Sequence, residues 1–199
     1  MNTEELELHI QGEAESPTLD FKAAMAWDAG SFAKDILAFS NVQDGGIIIV
    51  GIEDKTFKRQ GIDTVQRSSY NIDIMRDQIA PFADPHVNFS VDFPTDKDGK
   101  LYACIRIEPF TEIPVICRKD SPDTRAGVVY YRNRNRRVES AAVSNSYDMR
   151  EIIEIAAVRM MRNKQRAGFS VVDETATMQS EEKEAARTRT HLNEELGGL

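Results

Sequence analysis

Four β-branched residues in a row, Ile47-Ile48-Ile49-Val50, follow the glycine pair Gly45-Gly46. No other feature limits the fold as tightly. β-branched side chains suit a pleated strand, and a run with no polar alternation suits a strand covered on both faces. Such a strand cannot keep carboxylates along its length, so Glu53 and Asp54 stand where it leaves the core. Before the glycines, Ser31 reads as an N-cap, and Phe32, Ile36, Leu37 and Phe39 form one helical stripe. Glycine ends that helix cheaply, because it reaches positive φ without a Cβ clash. Gly45-Gly46 lacks the Gly-Lys-Ser/Thr ending of a phosphate loop, so it reads as a helix stop and the start of a strand.

Upstream, Glu15 is followed by Leu19-Asp20-Phe21-Lys22. Strand alternation puts Leu19 and Phe21 on one face and Asp20 and Lys22 on the other. If this strand neighbours Ile47–Val50, then Glu15, Asp20 and Asp54 can meet, with Glu53 as an alternative third acid. Converging carboxylates repel one another unless a cation sits among them. Hard oxygen ligands suit Mg²⁺ or Mn²⁺, and such ions serve phosphodiester cleavage. The competing reading is local: Asp20 pairs with Lys22 or an arginine, and the other two acids are solvated.

Along the rest of the chain, Thr3 is placed to cap a short first helix that turns Leu6 and Ile10 inward. Ser68 or Ser69 opens a helix that Pro81 stops, with Ile72, Met75 and Ile79 at helical spacing. Val87, Phe89, Val91 and Phe93 alternate with polar residues; so do Leu101, Ala103, Ile105 and Ile107 beyond the Asp96-Lys97-Asp98-Gly99 turn. Residues 87–108 therefore read as an antiparallel hairpin. Short strands follow at Ile113–Cys117 and Val128–Arg132. A late helix, Tyr147–Lys164, carries Met149, Ile152, Ala156 and Met160 on one stripe. The expected fold class is α+β, a central mixed, largely antiparallel sheet with packed helices, over residues 1–165. Residues 166–199 carry few large apolar side chains and read as a polar, mobile tail.

The net charge of −8 excludes a uniformly basic coat, yet basic residues gather in Arg118–Arg137. In a strand through Tyr130-Tyr131-Arg132-Asn133-Arg134-Asn135-Arg136, the arginines 132, 134 and 136 form a row suited to phosphate, and Tyr131 can stack on an unpaired base. The alternative is a solvated edge strand that uses charge against aggregation. Two scattered cysteines and three scattered histidines give no zinc spacing. No apolar run reaches membrane-span length, so a cytoplasmic location is the default expectation, with no membrane partner.

Taken together, Glu15-x4-Asp20-Phe21-Lys22, then Ala38-Phe39-Ser40-Asn41, then Gly45-Gly46 and a strand ending Gly51-Ile52-Glu53-Asp54, resemble the Schlafen AlbA-type domain family. The likeness runs from about Glu15 to about Ser144. It implies nucleic-acid binding, RNA favoured over DNA, with Lys22, Tyr131, Arg132, Arg134 and Arg136 as contacts. It also implies a metal-dependent endoribonuclease acting on transfer RNA or structured RNA, with Glu15, Asp20 and Asp54 as catalytic residues and Mg or Mn ligands. Asp20 departs from the glutamate common at its position, and the family's Tyr-x-Arg-x-Gly ending is altered near Asn135 and Arg136. The alternative is a non-catalytic DNA-binding or regulatory module. Longer Schlafen proteins pair two such lobes, so the resemblance further implies a homodimer here.

Overall fold

The structure, a computed structural model, describes residues 1–12, 14–132 and 138–169. The chain divides into two units, Met1–Met160 and Met161–Leu199. The first holds a four-stranded sheet of order β1-β2-β5-β4, built from β1 (Leu19–Lys22), β2 (Gly46–Val50), β4 (Phe89–Asp92) and β5 (Ala103–Ile107). Strands β1 and β2 run parallel, with Asp20 opposite Ile48 and Lys22 opposite Val50; the other pairs are antiparallel. The mixed, largely antiparallel α+β architecture expected of the sequence is therefore the observed one.

The β-branched run is buried throughout, and its alternation splits it between two cores. Ile48 and Val50 face helix α2 (Ala29–Ser40), packing with Phe32, Ile36 and Phe39. Ile47 and Ile49 face the other way, onto Leu6 and Ile10 of helix α1 (Thr3–Ile10). A parallel strand pair joined by a helix needs cover on both faces, and α1 supplies the second layer. Glu7 of α1 is tied down by both Arg59 nitrogens, at 3.0 and 3.1 Å.

Gly46 is required by packing rather than by turn geometry. A Cβ there would lie 1.9 Å from the Phe39 ring, so α2 can rest on β2 only over a glycine. Gly45, at φ +69°, makes the left-handed turn between them. Both caps read from the sequence shift by a few residues. Asp28, not Ser31, caps α2, and it accepts from the Ser31 N–H and hydroxyl at 2.8 and 2.7 Å. Asn2, not Thr3, caps α1 in a capping box with Glu5. The helix expected from Ser68 or Ser69 starts later, as α4 (Ile72–Ile79) capped by Asn71. Both serines end a short preceding helix, α3 (Thr64–Ser69), capped by Asp63, that the apolar periodicity did not signal.

Two short ribbons complete the unit. Strand β3 (Ala83–Asp84) pairs with β6 (Ile116–Cys117), and β7 (Tyr130–Arg132) pairs with β8 (Ser140–Ala142). Asn41, fully buried just after α2, clips them in place: its amide donates to the Val115 and Tyr130 carbonyls, each at 2.9 Å, and accepts from the Val115 N–H at 2.7 Å. Helix α5 (Ser146–Arg166) follows. Both cysteines are buried free thiols, and burial pushes Cys104 up to about 12. Among the described residues no helix is long and apolar enough to cross a membrane.

Candidate functional site

The residues singled out by the sequence meet along the free edge of β1. Because Asp20 and Lys22 alternate with Leu19 and Phe21, both point to the α2 face, where α2 presents Asp35 from its apolar stripe. Lys22 Nζ lies 2.6 Å from Asp35 Oδ2 and 3.3 Å from Asp20 Oδ2, above the Phe32 ring at 5.8 Å. Burial works against the Lys22 charge, but Asp35 and Asp20 outweigh it and hold its pKa above the ordinary value.

Arg132 enters the same cluster from β7. Its side chain is 1% exposed, and Nη1 donates to Asp20 Oδ1 at 2.8 Å. Nη2 donates to the Leu19 and Ser16 carbonyls at 3.3 and 3.4 Å, and the guanidinium lies over the Phe39 ring at 4.5 Å. Glu15 closes the outer side. Its Oε1 accepts the Phe21 N–H at 3.3 Å, and its Oε2 lies 3.9 Å from Arg132 Nη2. Burial, then the nearby Asp20 charge, pushes the Glu15 pKa up to about 7. Glu15 thus holds the Phe21 N–H at the edge of β1, and Arg132 adds a second donor to the Leu19 carbonyl, which also accepts from the Ser16 N–H at 3.1 Å, so the edge is blunted.

The expected residues separate into those the fold gathers and those it does not. Glu15, Asp20, Lys22 and Arg132 come together. Asp54 stays exposed beyond β2, and of the charges acting on Glu15 it contributes least. Glu53, the alternative acid, is occupied locally by the Thr56 hydroxyl at 2.6 Å. Arg132, expected in an outward row of arginines, and Tyr131, expected to stack on a base, are buried at 1% and 3%. The ribbon β7–β8 packs on α2 instead of standing free, and β7 is buried throughout while Ala141 and Ala142 of β8 stay exposed. Arg134 and Arg136 lie outside the described residues.

This donor set does not fit a divalent ion. Both oxygens of Asp20 already face permanent cations, and an added ion would sit within repulsion range of Lys22 and Arg132. Among the described residues no three acidic, histidine or cysteine side chains are disposed to hold a metal. Asp20 Oδ2 and Arg132 Nε make no aligned hydrogen bond although both are buried. The cluster therefore holds together by charge more than by hydrogen-bond geometry. Sequence reasoning missed Asp35. The signal was there: a carboxylate three residues after Phe32 and four before Phe39, inside the apolar stripe, needs a buried cation.

Comparison with known proteins adds three findings. No curated protein matches this chain. The solved structure of the DIP2311 protein from Corynebacterium diphtheriae superposes on 73% of this chain at 18% identity and a TM-score of 0.49, and the aligned part spans 27% of that chain. The sequence matches the family described as Schlafen, AlbA_2 over residues 15–141, which takes in β1, α2, the whole four-stranded sheet and Arg132. With the match covering more than half its length, the chain belongs to the Schlafen AlbA_2 family.

Proposed function

We propose that this chain is a nucleic-acid-binding module that holds its target, RNA in preference to DNA, without metal-dependent cutting. Family membership supports nucleic-acid binding. The observation that favours holding over cutting is the neutralised state of Asp20, whose carboxylate faces Arg132 at 2.8 Å and Lys22 at 3.3 Å. A carboxylate engaged in this way is needed by its two cations and has little capacity left for a divalent ion. Lys22 and Arg132 act in this reading as supports of the β1 edge rather than as phosphate contacts. The exposed cations Arg118, Lys119 and Arg125 on the segment after β6 offer a surface for phosphate instead.

The experiment is a binding and cleavage panel with single-stranded DNA, duplex DNA and transfer RNA. Binding is expected to weaken as salt rises, with a slope of about 0.7–0.9 per phosphate contact in the log–log plot. No strand scission is expected with Mg²⁺ or Mn²⁺ present. Mn²⁺-dependent cleavage of transfer RNA that disappears in Asp54→Ala while binding survives would restore the endoribonuclease reading.

A homodimer belongs to the same proposal. Helix α5 buries Ile152 and Ala156 in its own unit but leaves Tyr147, Ile153 and Met160 exposed at 61%, 57% and 41%. That is more apolar surface than a helix facing only solvent needs, and two-fold dimers are the commonest soluble oligomers.

A further inference from the structure

A groove of about 800 Å³ opens where the first turn of α2, helix α4 and the segment after β6 meet, away from the β1 cluster. Trp27, the one tryptophan of the chain, lines it. The indole is held as a fixed plate. Phe32 stacks on it at 4.8 Å and 22°, and its Nε1 donates to Gln78 Oε1 at 2.8 Å. Phe82 also lines the groove, with Lys119 Nζ 4.8 Å from its ring centroid.

Gly30 has no reason within the fold to be glycine. It lies in the first turn of α2, its φ is not in the left-handed region, and an added Cβ would meet only Asp28 Oδ2, at 3.4 Å. Glycine lowers helix stability relative to alanine. Its missing side chain leaves the groove open.

The charges lining the groove are Lys119 against Asp28 and Asp120, an acidic excess that does not suit a run of phosphates. It suits a flat, uncharged group that carries N–H donors. Carboxylates accept from the exocyclic amines of nucleobases, and aromatic side chains stack on their faces.

We propose that this groove takes one unpaired nucleobase with an exocyclic amine (guanine, adenine or cytosine), stacked at Trp27, with its amine donating to Asp28 or Asp120 and a flanking phosphate at Lys119. This site rests on the reading of the chain as a nucleic-acid binder and names how it grips a single strand. Uracil and thymine carry carbonyls where the other bases carry the amine, so only their ring N3–H, set between two carbonyls, is left to donate to a carboxylate.

The test uses the full chain with end-labelled single-stranded oligonucleotides of adenine, cytosine or uracil. Label anisotropy reports binding anywhere on the protein, and fluorescence of the single tryptophan reports the groove. The adenine and cytosine strands should quench Trp27 in step with binding and bind roughly 5- to 100-fold more tightly than the uracil strand. Gly30→Leu, which fills the groove, should weaken their binding roughly 5- to 100-fold and abolish the quench. Lys119→Ala is the second variant; the side chain is exposed and its one ring contact is with Phe82, and the change should weaken binding and lower the salt slope by about one contact, with unfolding monitored alongside. Anisotropy binding with no quench, unaffected by Gly30→Leu and Lys119→Ala, would overturn the groove and leave nucleic-acid binding standing. Equal affinity for the uracil strand would overturn the amine contact. No anisotropy change with any strand would overturn both the groove and the parent reading.

Discussion

At the scale of single residues, Glu15 and Arg132 make the most specific claims. Burial and the Asp20 charge push the Glu15 pKa up to about 7, well above its unfolded value of 4.5. A raised carboxyl pKa means that the folded state holds the proton more tightly than the unfolded one. The stabilisation is then complete below about pH 4.5 and is lost as pH climbs through 7. Glu15→Gln keeps the acceptor for the Phe21 N–H and removes the charge. It should leave stability unchanged at pH 4.5 and raise it at pH 8 by about 1 kcal/mol, allowing for partial solvent screening. Thermal unfolding of both proteins from pH 4.5 to 8 checks this; parallel curves would remove Glu15 from the pH response. For Arg132, removing the buried cation leaves Asp20 with Lys22 alone and takes one of two donors from the Leu19 and Ser16 carbonyls, which keep each other's N–H. Arg132→Ala is expected to cost about 3–5 kcal/mol in urea unfolding, and Asp20→Asn with Arg132→Met should cost less than Arg132→Ala alone. An exposed, phosphate-facing arginine would cost almost nothing.

At the scale of elements, the tightest contact is α2 against β2. Gly46→Ala pushes a methyl group into the Phe39 ring and must lift the helix off the strand. A loss of about 2–3 kcal/mol in urea unfolding follows. An unchanged denaturation midpoint would show that α2 can shift freely. The same elements explain what was legible in the sequence. The run Ile47–Val50 announced a strand with two covered faces, and the alternation of Asp20 and Lys22 with Leu19 and Phe21 held in the structure. The direction in which Arg132 points was not legible. Strand alternation fixes which residues share a face, but only tertiary packing decides which face is inside. In β7 both faces are inside, since Tyr131 and Arg132 point to opposite sides and are both buried, whereas sequence reasoning left them open to a ligand. Convergent acids read the same way in sequence whether a metal or basic side chains face them. Of the two cations at Asp20, Lys22 stands two positions away and was legible as a partner, whereas Arg132 comes from more than a hundred positions away.

At the scale of the whole molecule, assembly is testable through α5. Light scattering of the full chain at micromolar concentration should give twice the 22.4 kDa chain mass. Ile153→Glu with Met160→Glu should return the monomer mass with the fold intact, because both side chains are exposed. A monomer in the unmodified protein, alone and bound to nucleic acid, would rule out the paired arrangement. The Arg132–Asp20 contact has a consequence of another kind, in time. The two residues are 112 positions apart, and β1 leaves the ribosome long before its partner is made. At about 5–20 residues per second, Asp20 waits on the order of 10 s for its guanidinium. Until then β1 has an acid with no arginine and an open row of backbone groups at its edge. The nascent chain is therefore most prone to mispairing in that interval, and a ribosome stalled before Arg132 should present a protease-sensitive chain, whereas one stalled after Ser140 has emerged should present a protected one.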